Sequence, residues 1–242
     1  MELDNQVALV TGGTAGIGLE TARLLAANGA EVIISGRDAE KGKAALASLG
    51  DSGSVRFVQA DLADLASVES LVTQAGPVDI LVNNAGAFPV APTVEQDVAT
   101  FERVFDTNVR GAYFLVAKLA PAMLEKGAGS IVNITSLATS KGMPGASVYS
   151  ASKAALDQLT RNWAVEFGAN NVRVNAVAPG PTRTDGVLAE WGESVEDVGR
   201  ATALGRTAKA REIAEAIYFV ASPRASYLTG TTLRVDAGGS IY

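Results

Sequence analysis

Short runs of β-branched and aliphatic residues recur along the chain, separated by longer stretches with the spacing of amphipathic helices. The first run is Val7-Ala8-Leu9-Val10. Val32-Ile33-Ile34, Val55-Arg56-Phe57-Val58, Ile80-Leu81-Val82 and Ile131-Val132-Asn133-Ile134 follow, then Val172 to Val177 and Thr232 to Val235. Most are apolar at nearly every position, as expected of strands buried on both faces of a parallel sheet. Helical patterns cover Ile17 to Asn28, Ala39 to Leu49, Ser67 to Ala75, Gln96 to Lys126 (with breaks expected), Ser147 to Phe167 and Arg211 to Ala221. Gly29 is placed to end the first helix and Pro223 the last. This alternation predicts right-handed βαβ units in an α/β fold: a doubly wound parallel sheet of about seven strands with helices on both faces. No Pro/Gly/Ser-rich stretch or charge block divides the 242 residues, so one domain spanning 1–242 is expected. The least regular stretch is Pro181 to Lys209. Such sheets bind ligands at the carboxyl ends of their strands, so a lid is expected at about 181–209.

Composition narrows the chemistry. Hydrophobic residues make up 48% of the chain and charged residues 19%, enough apolar material for a large core and too little charge for disorder. The formal net charge of −6 argues against a general nucleic-acid partner, which needs clustered Lys and Arg. The chain has no Cys and no His. That excludes disulfides, thiol catalysis and metal sites built on Cys or His, and no metal is expected. It also removes imidazole, so a Ser-His-Asp hydrolase cannot be assembled. Tyr, Lys, Asp and Glu remain as acid/base candidates. No basic and apolar leader precedes the first strand, and the apolar stretch Ala112 to Leu124 is interrupted by Lys118 and Pro121. No membrane partner is expected, and the protein is read as cytoplasmic.

Thr11-Gly12-Gly13-Thr14-Ala15-Gly16-Ile17-Gly18 follows the first strand and opens the first helix. Gly12 allows a tight turn, Gly16 a close approach of backbone to a pyrophosphate, and Gly18 close packing of helix on sheet. The helix start then offers free N–H groups to phosphates. The second strand ends in Ser35-Gly36-Arg37, without the carboxylate that usually binds the ribose hydroxyls of NAD. Arg37 can instead grip a 2′-phosphate, which points to NADP(H). Asp38 is adjacent and is the natural N-cap of the following helix.

Tyr149 and Lys153 stand four residues apart near a helix start and so share a face. A phenol with a pKa near 10 is a poor base, but a neighbouring ammonium favours the phenolate. Such a pair can exchange a proton with a substrate oxygen. Ser136 lies just beyond the fifth strand, where its hydroxyl could bond a carbonyl oxygen or merely cap a turn. Asn108 is a polar residue in an otherwise apolar helix. It marks either a local kink satisfied by backbone, or a kink whose freed carbonyl holds a water beside Lys153.

Together these motifs resemble the short-chain dehydrogenase/reductase family, in its branch of single-domain Rossmann-fold enzymes that includes 3-oxoacyl-ACP reductase-like members. The resemblance spans essentially the whole chain. It implies a catalytic tetrad of Asn108, Ser136, Tyr149 and Lys153, with Tyr149 donating the proton, Lys153 binding the nicotinamide ribose and lowering the Tyr149 pKa, Ser136 polarising the carbonyl and Asn108 supporting a relay water. It implies cofactor contacts from Gly12, Thr14, Gly16, Ile17, Gly18, Ser35 and Arg37, and from Asp61 and Leu62 beside the adenine. It adds Asn83, Ala85 and Gly86 after the fourth strand, and Pro179, Gly180, Thr182 and Thr184 near the nicotinamide. The usual Asp-Gly-Gly near the C-terminus is here Asp236-Ala237-Gly238-Gly239. Family members are commonly homotetramers or homodimers built on the fourth and fifth helix pairs; Ala151, Ala154, Ala155 and Ala164 could permit close packing there, or could pack on their own sheet.

The expected function is an oxidoreductase passing hydride between NADP(H) and a small-molecule carbonyl/alcohol substrate. Two alternatives remain: a non-catalytic NADP(H)-binding sensor or scaffold, and the same chemistry on an imine or an acyl-carrier-bound ketone. The last would need a basic docking patch, for which Arg183, Arg200, Arg206 and Lys209 are candidates. The expected substrate wall is apolar: Leu137, Ala138, Met143, Pro144, Val148, Val187, Leu188 and Trp191.

Overall fold

The computed structural model describes residues 1–50 and 54–241. The strands, in chain order, are β1 (Val7–Thr11), β2 (Glu31–Gly36), β3 (Val55–Gln59), β4 (Ile80–Asn83), β5 (Gly129–Ile134), β6 (Val172–Pro179), β7 (Thr182–Arg183), β8 (Ala208–Lys209) and β9 (Thr232–Val235). The helices are α1 (Gly16–Ala27), α2 (Ala39–Leu49), α3 (Leu65–Ala75), α4 (Val98–Phe105), α5 (Ala112–Lys126), α6 (Ser147–Gly168), α7 (Asp185–Trp191), α8 (Ser194–Arg200) and α9 (Ala210–Ala221). Seven strands make one sheet in the order β3-β2-β1-β4-β5-β6-β9, parallel throughout. The doubly wound sheet expected from the alternation is the sheet observed.

The two-residue period of the strands divides the core between two faces. Val10, Ile34, Val82 and Val177 face α1 and α9, packing with Leu25, Ile213, Ile217 and Val220. Their neighbours Leu9, Ile33, Leu81 and Ile131 face α3, α5 and α6, packing with Leu71, Leu115, Leu119 and Leu156. Inside the sheet runs a polar chain: Asn83 donates to Asn133 at 2.9 Å, and Asn133 donates to Thr160 at 2.8 Å.

The order places a switch point between β1 and β4. The chain winds outward from β1 to β3, then returns to β4 and winds the other way. A crevice opens there at the carboxyl ends, the usual ligand position of such sheets. Three helix starts away from the crevice are capped: Asp38 accepts from the amides of Glu40 and Lys41, Asp64 from Ala66 and Asp97 from Thr100. The start of α1, at the crevice, has no side-chain cap. Its N–H groups are left to a ligand.

Two segments differ in detail from expectation. The break expected within Gln96 to Lys126 is a π-helical turn, Asp106–Gly111, centred on Asn108, whereas Pro121 sits inside α5 without ending it. The irregular stretch from Pro181 to Lys209 holds two short helices and a two-stranded parallel ladder, β7 with β8. These elements are too short to carry a periodic signal. No helix among the described residues is long and apolar enough to cross a membrane.

Candidate active site

The crevice holds a cleft of about 300 Å³. One end is formed by Gly12, Ala15, Gly16 and Ile17, from the turn between β1 and α1. Gly12 has φ +63°, and a Cβ on it would stand 2.9 Å from the Cα of Ala85, so the turn takes only glycine without strain. A side chain on Gly18 would run into the carbonyl oxygen of Gly12. Asn84 fastens the turn to β4, donating to the carbonyls of Thr11 and Gly12 at 2.9 and 3.1 Å. Bare backbone in a glycine cradle, against an uncapped helix start, fits the pyrophosphate of a dinucleotide.

The middle of the cleft is its chemical floor, built from Ile134, Thr135 and Ser136 at the end of β5 and from Tyr149 and Lys153 on α6. The hydroxyls of Tyr149 and Ser136 both line this part of the cleft, and Ser136 Oγ accepts from the Ala138 amide at 3.2 Å. Lys153 donates from Nζ to the carbonyl of Ile134 at 2.8 Å and lies 5.9 Å from the centroid of the Tyr149 ring. Burial, with no carboxylate partner, draws the Lys153 ammonium down to about 8. The sequence led us to expect Tyr149 below its ordinary value. In the protein alone burial raises it, and the Ser136 hydroxyl opposes that rise only in part.

Asn108 lies behind this floor, 1% exposed, and its side chain is fully engaged. It accepts from the Ala87 amide at 2.8 Å and donates to the Ala87 carbonyl and to Ser152 Oγ, both at 2.9 Å. The side chain therefore substitutes for a strand neighbour and fixes the path of residues 86–88. A Cβ on Gly86 would meet Lys153 Nζ at 3.2 Å and Asn108 Oδ1 at 3.4 Å, so that segment presses directly on the tetrad.

The far wall comes from Pro179, Gly180, Pro181, Thr182 and Thr184 and from the segment above them, through Gly186, Val187, Trp191, Val195 and Val198. Of the apolar wall expected from the sequence, Leu137, Met143, Val187 and Trp191 line the cleft; Ala138, Pro144, Val148 and Leu188 do not. Phe88, Val195 and Val198 line it and were not anticipated. They are ordinary apolar residues, and only the fold brings them to the cleft.

The remaining residues expected at a cofactor lie outside this cleft. Thr14 packs against Gly36 at the end of β2, where a Cβ on Gly36 would be 2.9 Å from Thr14 Cγ2. Ser35 is buried, with its carbonyl accepting from the Gly13 amide at 3.1 Å. Arg37 is exposed, and its guanidinium has no hydrogen bond or ion pair among the described residues. Asp61 accepts from the Ala63 amide at 3.0 Å, and Leu62 packs beneath Gly111. The Asn83 side chain is turned into the sheet towards Asn133, while its neighbour Asn84 faces the cleft.

A glycine cradle at a switch point, beside a Ser, Tyr and Lys floor, agrees with the similarity of the chain to known proteins. Residues 12–240 match the family described as "Enoyl-(Acyl carrier protein) reductase". The chain belongs to the short-chain dehydrogenase/reductase family. Among curated relatives of this dehydrogenase/reductase, galactitol 2-dehydrogenase (L-tagatose-forming) of Cereibacter sphaeroides is 41% identical, over 99% of this chain and 97% of that protein. A 3alpha-hydroxysteroid dehydrogenase of Mediterraneibacter gnavus is 38% identical, over 98% and 97%. Among solved structures, a short chain dehydrogenase/reductase family protein superposes with a TM-score of 0.95 at 60% identity, covering 100% of both chains. Levodione reductase superposes at 0.92 with 33% identity, covering 99% of both. This family member is thus an oxidoreductase of alcohol and carbonyl groups that works with a nicotinamide cofactor.

Proposed function

We propose that the protein is an NADP(H)-dependent carbonyl reductase and alcohol dehydrogenase in which Tyr149 donates and accepts the proton. The observation that carries this reading is the convergence of the Ser136 and Tyr149 hydroxyls on one cleft, with the Lys153 ammonium 5.9 Å from the Tyr149 ring. The reduced nicotinamide, when bound, supplies hydride to the carbonyl carbon. Ser136 donates a hydrogen bond to the carbonyl oxygen, and Tyr149 gives its phenolic proton to the same oxygen as negative charge builds there. In alcohol oxidation the proton returns to the Tyr149 oxygen. A phenol held high by burial suits the reductive direction. Oxidation needs added positive charge nearby, from Lys153 and from the oxidised ring. Asn108 supports the floor from behind, and the π turn around it leaves helix carbonyls for the proposed relay water.

Cofactor contacts are assigned to Gly12, Thr14, Gly16, Ile17 and Gly18 at the phosphates, Ser35, Arg37, Asp61 and Leu62 on the adenosine side, and Asn83, Ala85, Gly86, Pro179, Gly180, Thr182 and Thr184 towards the nicotinamide. The choice of NADP rests on three neighbours. Gly36 carries no carboxylate, Asp38 is committed to two amides of α2, and the Arg37 guanidinium has no partner among the described residues. A 2′-phosphate would satisfy it.

The single domain 1–242, with residues 181–209 as a lid, remains our reading of the chain, as does assembly into a homodimer or homotetramer. Phe101, Tyr113, Phe114 and Val165 are exposed on α4, α5 and α6 and favour such assembly. Ala151 and Ala154 are exposed as well, whereas Ala164 packs in its own core. An acyl-carrier-bound substrate is less favoured than a free one, because three of the four candidate docking cations are already paired. Arg183 binds Glu193 and Glu196, Arg200 binds Asp197, and Arg206 binds Glu212.

The test follows NADPH absorbance over a panel of hydrophobic ketones. Turnover by the wild type and its loss in Tyr149→Phe are expected. Equal turnover in the two would remove Tyr149 from its role, and tight NADPH binding without turnover across the panel would favour the sensor reading.

A further inference from the structure

Ser152 is completely buried on α6 and lines no part of the cleft. Its hydroxyl donates to the backbone carbonyl of Tyr149 at 2.7 Å and accepts from Asn108 Nδ2 at 2.9 Å. A helical serine bonded to the carbonyl three residues back needs no further purpose. The second bond is different, because it joins positions 44 apart in the chain, both buried. The polarity of the connection is fixed at each joint. Ala87 offers one N–H and one carbonyl to the Asn108 amide, so Oδ1 must face the first and Nδ2 the second. The remaining Asn108 N–H is then directed at α6. Ser152 has one proton, and the Tyr149 carbonyl can only accept it, which leaves the Ser152 oxygen to accept from Asn108. A directed chain of bonds thus runs from the segment after β4, through the π turn, to the backbone of Tyr149 itself. Lys153 is tied separately, to Ile134 at the end of β5.

We propose that Ser152 is a positioning residue for proton transfer: it carries the hold of Asn108 onto the Tyr149 backbone and so sets where the phenol meets the carbonyl oxygen. The inference rests on the reductase reading above and deepens it. The bond reaches residue 149 at its backbone and not at its ring, so it governs the place of the helix turn that presents the phenol. Ser152 touches neither the cleft nor the space for a cofactor, and its effect must pass through Asn108 on one side and Tyr149 on the other.

Ser152→Ala deletes the joint without removing any group that lines the cleft. Displacement of reacting groups by about 1 Å costs about a hundredfold in rate, and loss of this one brace should lower kcat about tenfold. KM for NADPH and for the ketone should stay within about twofold, since no binding contact is lost. Ser152→Cys fills the space of the hydroxyl but bonds weakly, so it should be as slow as Ser152→Ala. The kinetics are measured with the fastest ketone of the panel, with a thermal melt for each variant, and extended to Asn108→Ala and the Asn108→Ala/Ser152→Ala pair. The double variant should be no slower than Asn108→Ala alone, because both changes cut the same chain. If Asn108→Ala does not fold, the comparison of alanine and cysteine at 152 decides alone. Wild-type kcat in Ser152→Ala or in Ser152→Cys would overturn the proposal, as would losses that multiply in the double variant. If the wild type turns over none of the panel, the reductase reading fails and takes the proposal with it.

Discussion

The floor of the cleft and the segment that roofs it are built on opposite principles. The floor is buried and held by hydrogen bonds with no carboxylate among them: Lys153 to Ile134, and Asn108 to Ala87 and Ser152. The roof, residues 181–209, has short helices pinned by exposed ion pairs from Arg183, Arg200 and Arg206. Exposed pairs hold weakly and can exchange, whereas buried bonds fix geometry. The proposed chemistry is placed on bonds that fix geometry, and the proposed lid on contacts that exchange cheaply.

The sharpest way to break the floor is Tyr149→Phe, which removes one oxygen from a general acid and should lower kcat about 10²- to 10⁴-fold, read by single-turnover NADPH oxidation. Lys153 offers a second break through pH. Its native value of about 8 lies below the ordinary lysine value, so the folded protein binds fewer protons than the unfolded chain between those limits. The cost of burying the charge is present in full below pH 8, and stability from this group rises with pH from there to about 10.5. Lys153→Met should abolish that rise, worth roughly 3 kcal/mol across the window, as seen in denaturant midpoints collected at pH 7 to 10. At the adenosine end, Arg37→Ala should reduce the preference for NADPH over NADH about tenfold, the worth of one charge-assisted bond; unchanged selectivity in the ratio of the two kcat/KM values would discard its role. The roof should respond least. Arg183→Ala breaks its pairs with Glu193 and Glu196, and we expect the ketone KM to rise by less than about fivefold with kcat retained.

The same contrast decides what could be read from the sequence. The sheet and the floor were legible because their residues are constrained by type: apolar strands in a parallel sheet, glycines where a Cβ has no room, and a Tyr and Lys one helical turn apart. The roof was not, since seven-residue helices carry no full period and their side chains follow from contacts distant in the chain. Phe88 went unnoticed for that reason, as did the turning of Asn83 away from the cleft and of Asn84 into it. The direction of the Tyr149 shift was misjudged because sequence spacing reveals a neighbouring charge but not the depth at which both groups are buried.

The π turn at Asp106–Gly111 has a consequence for how this helix can change. A π turn carries one residue more than an α turn, so deleting one residue would restore regular winding. It would also rotate all that follows by about 100° relative to what precedes. Leu115, Leu119 and Met123, now fully or almost fully buried against the sheet, would swing towards solvent, and polar neighbours such as Lys118 would enter the core. The extra residue is locked in from the far end of the helix: the register of an apolar stripe three turns away holds Asn108 beside Lys153.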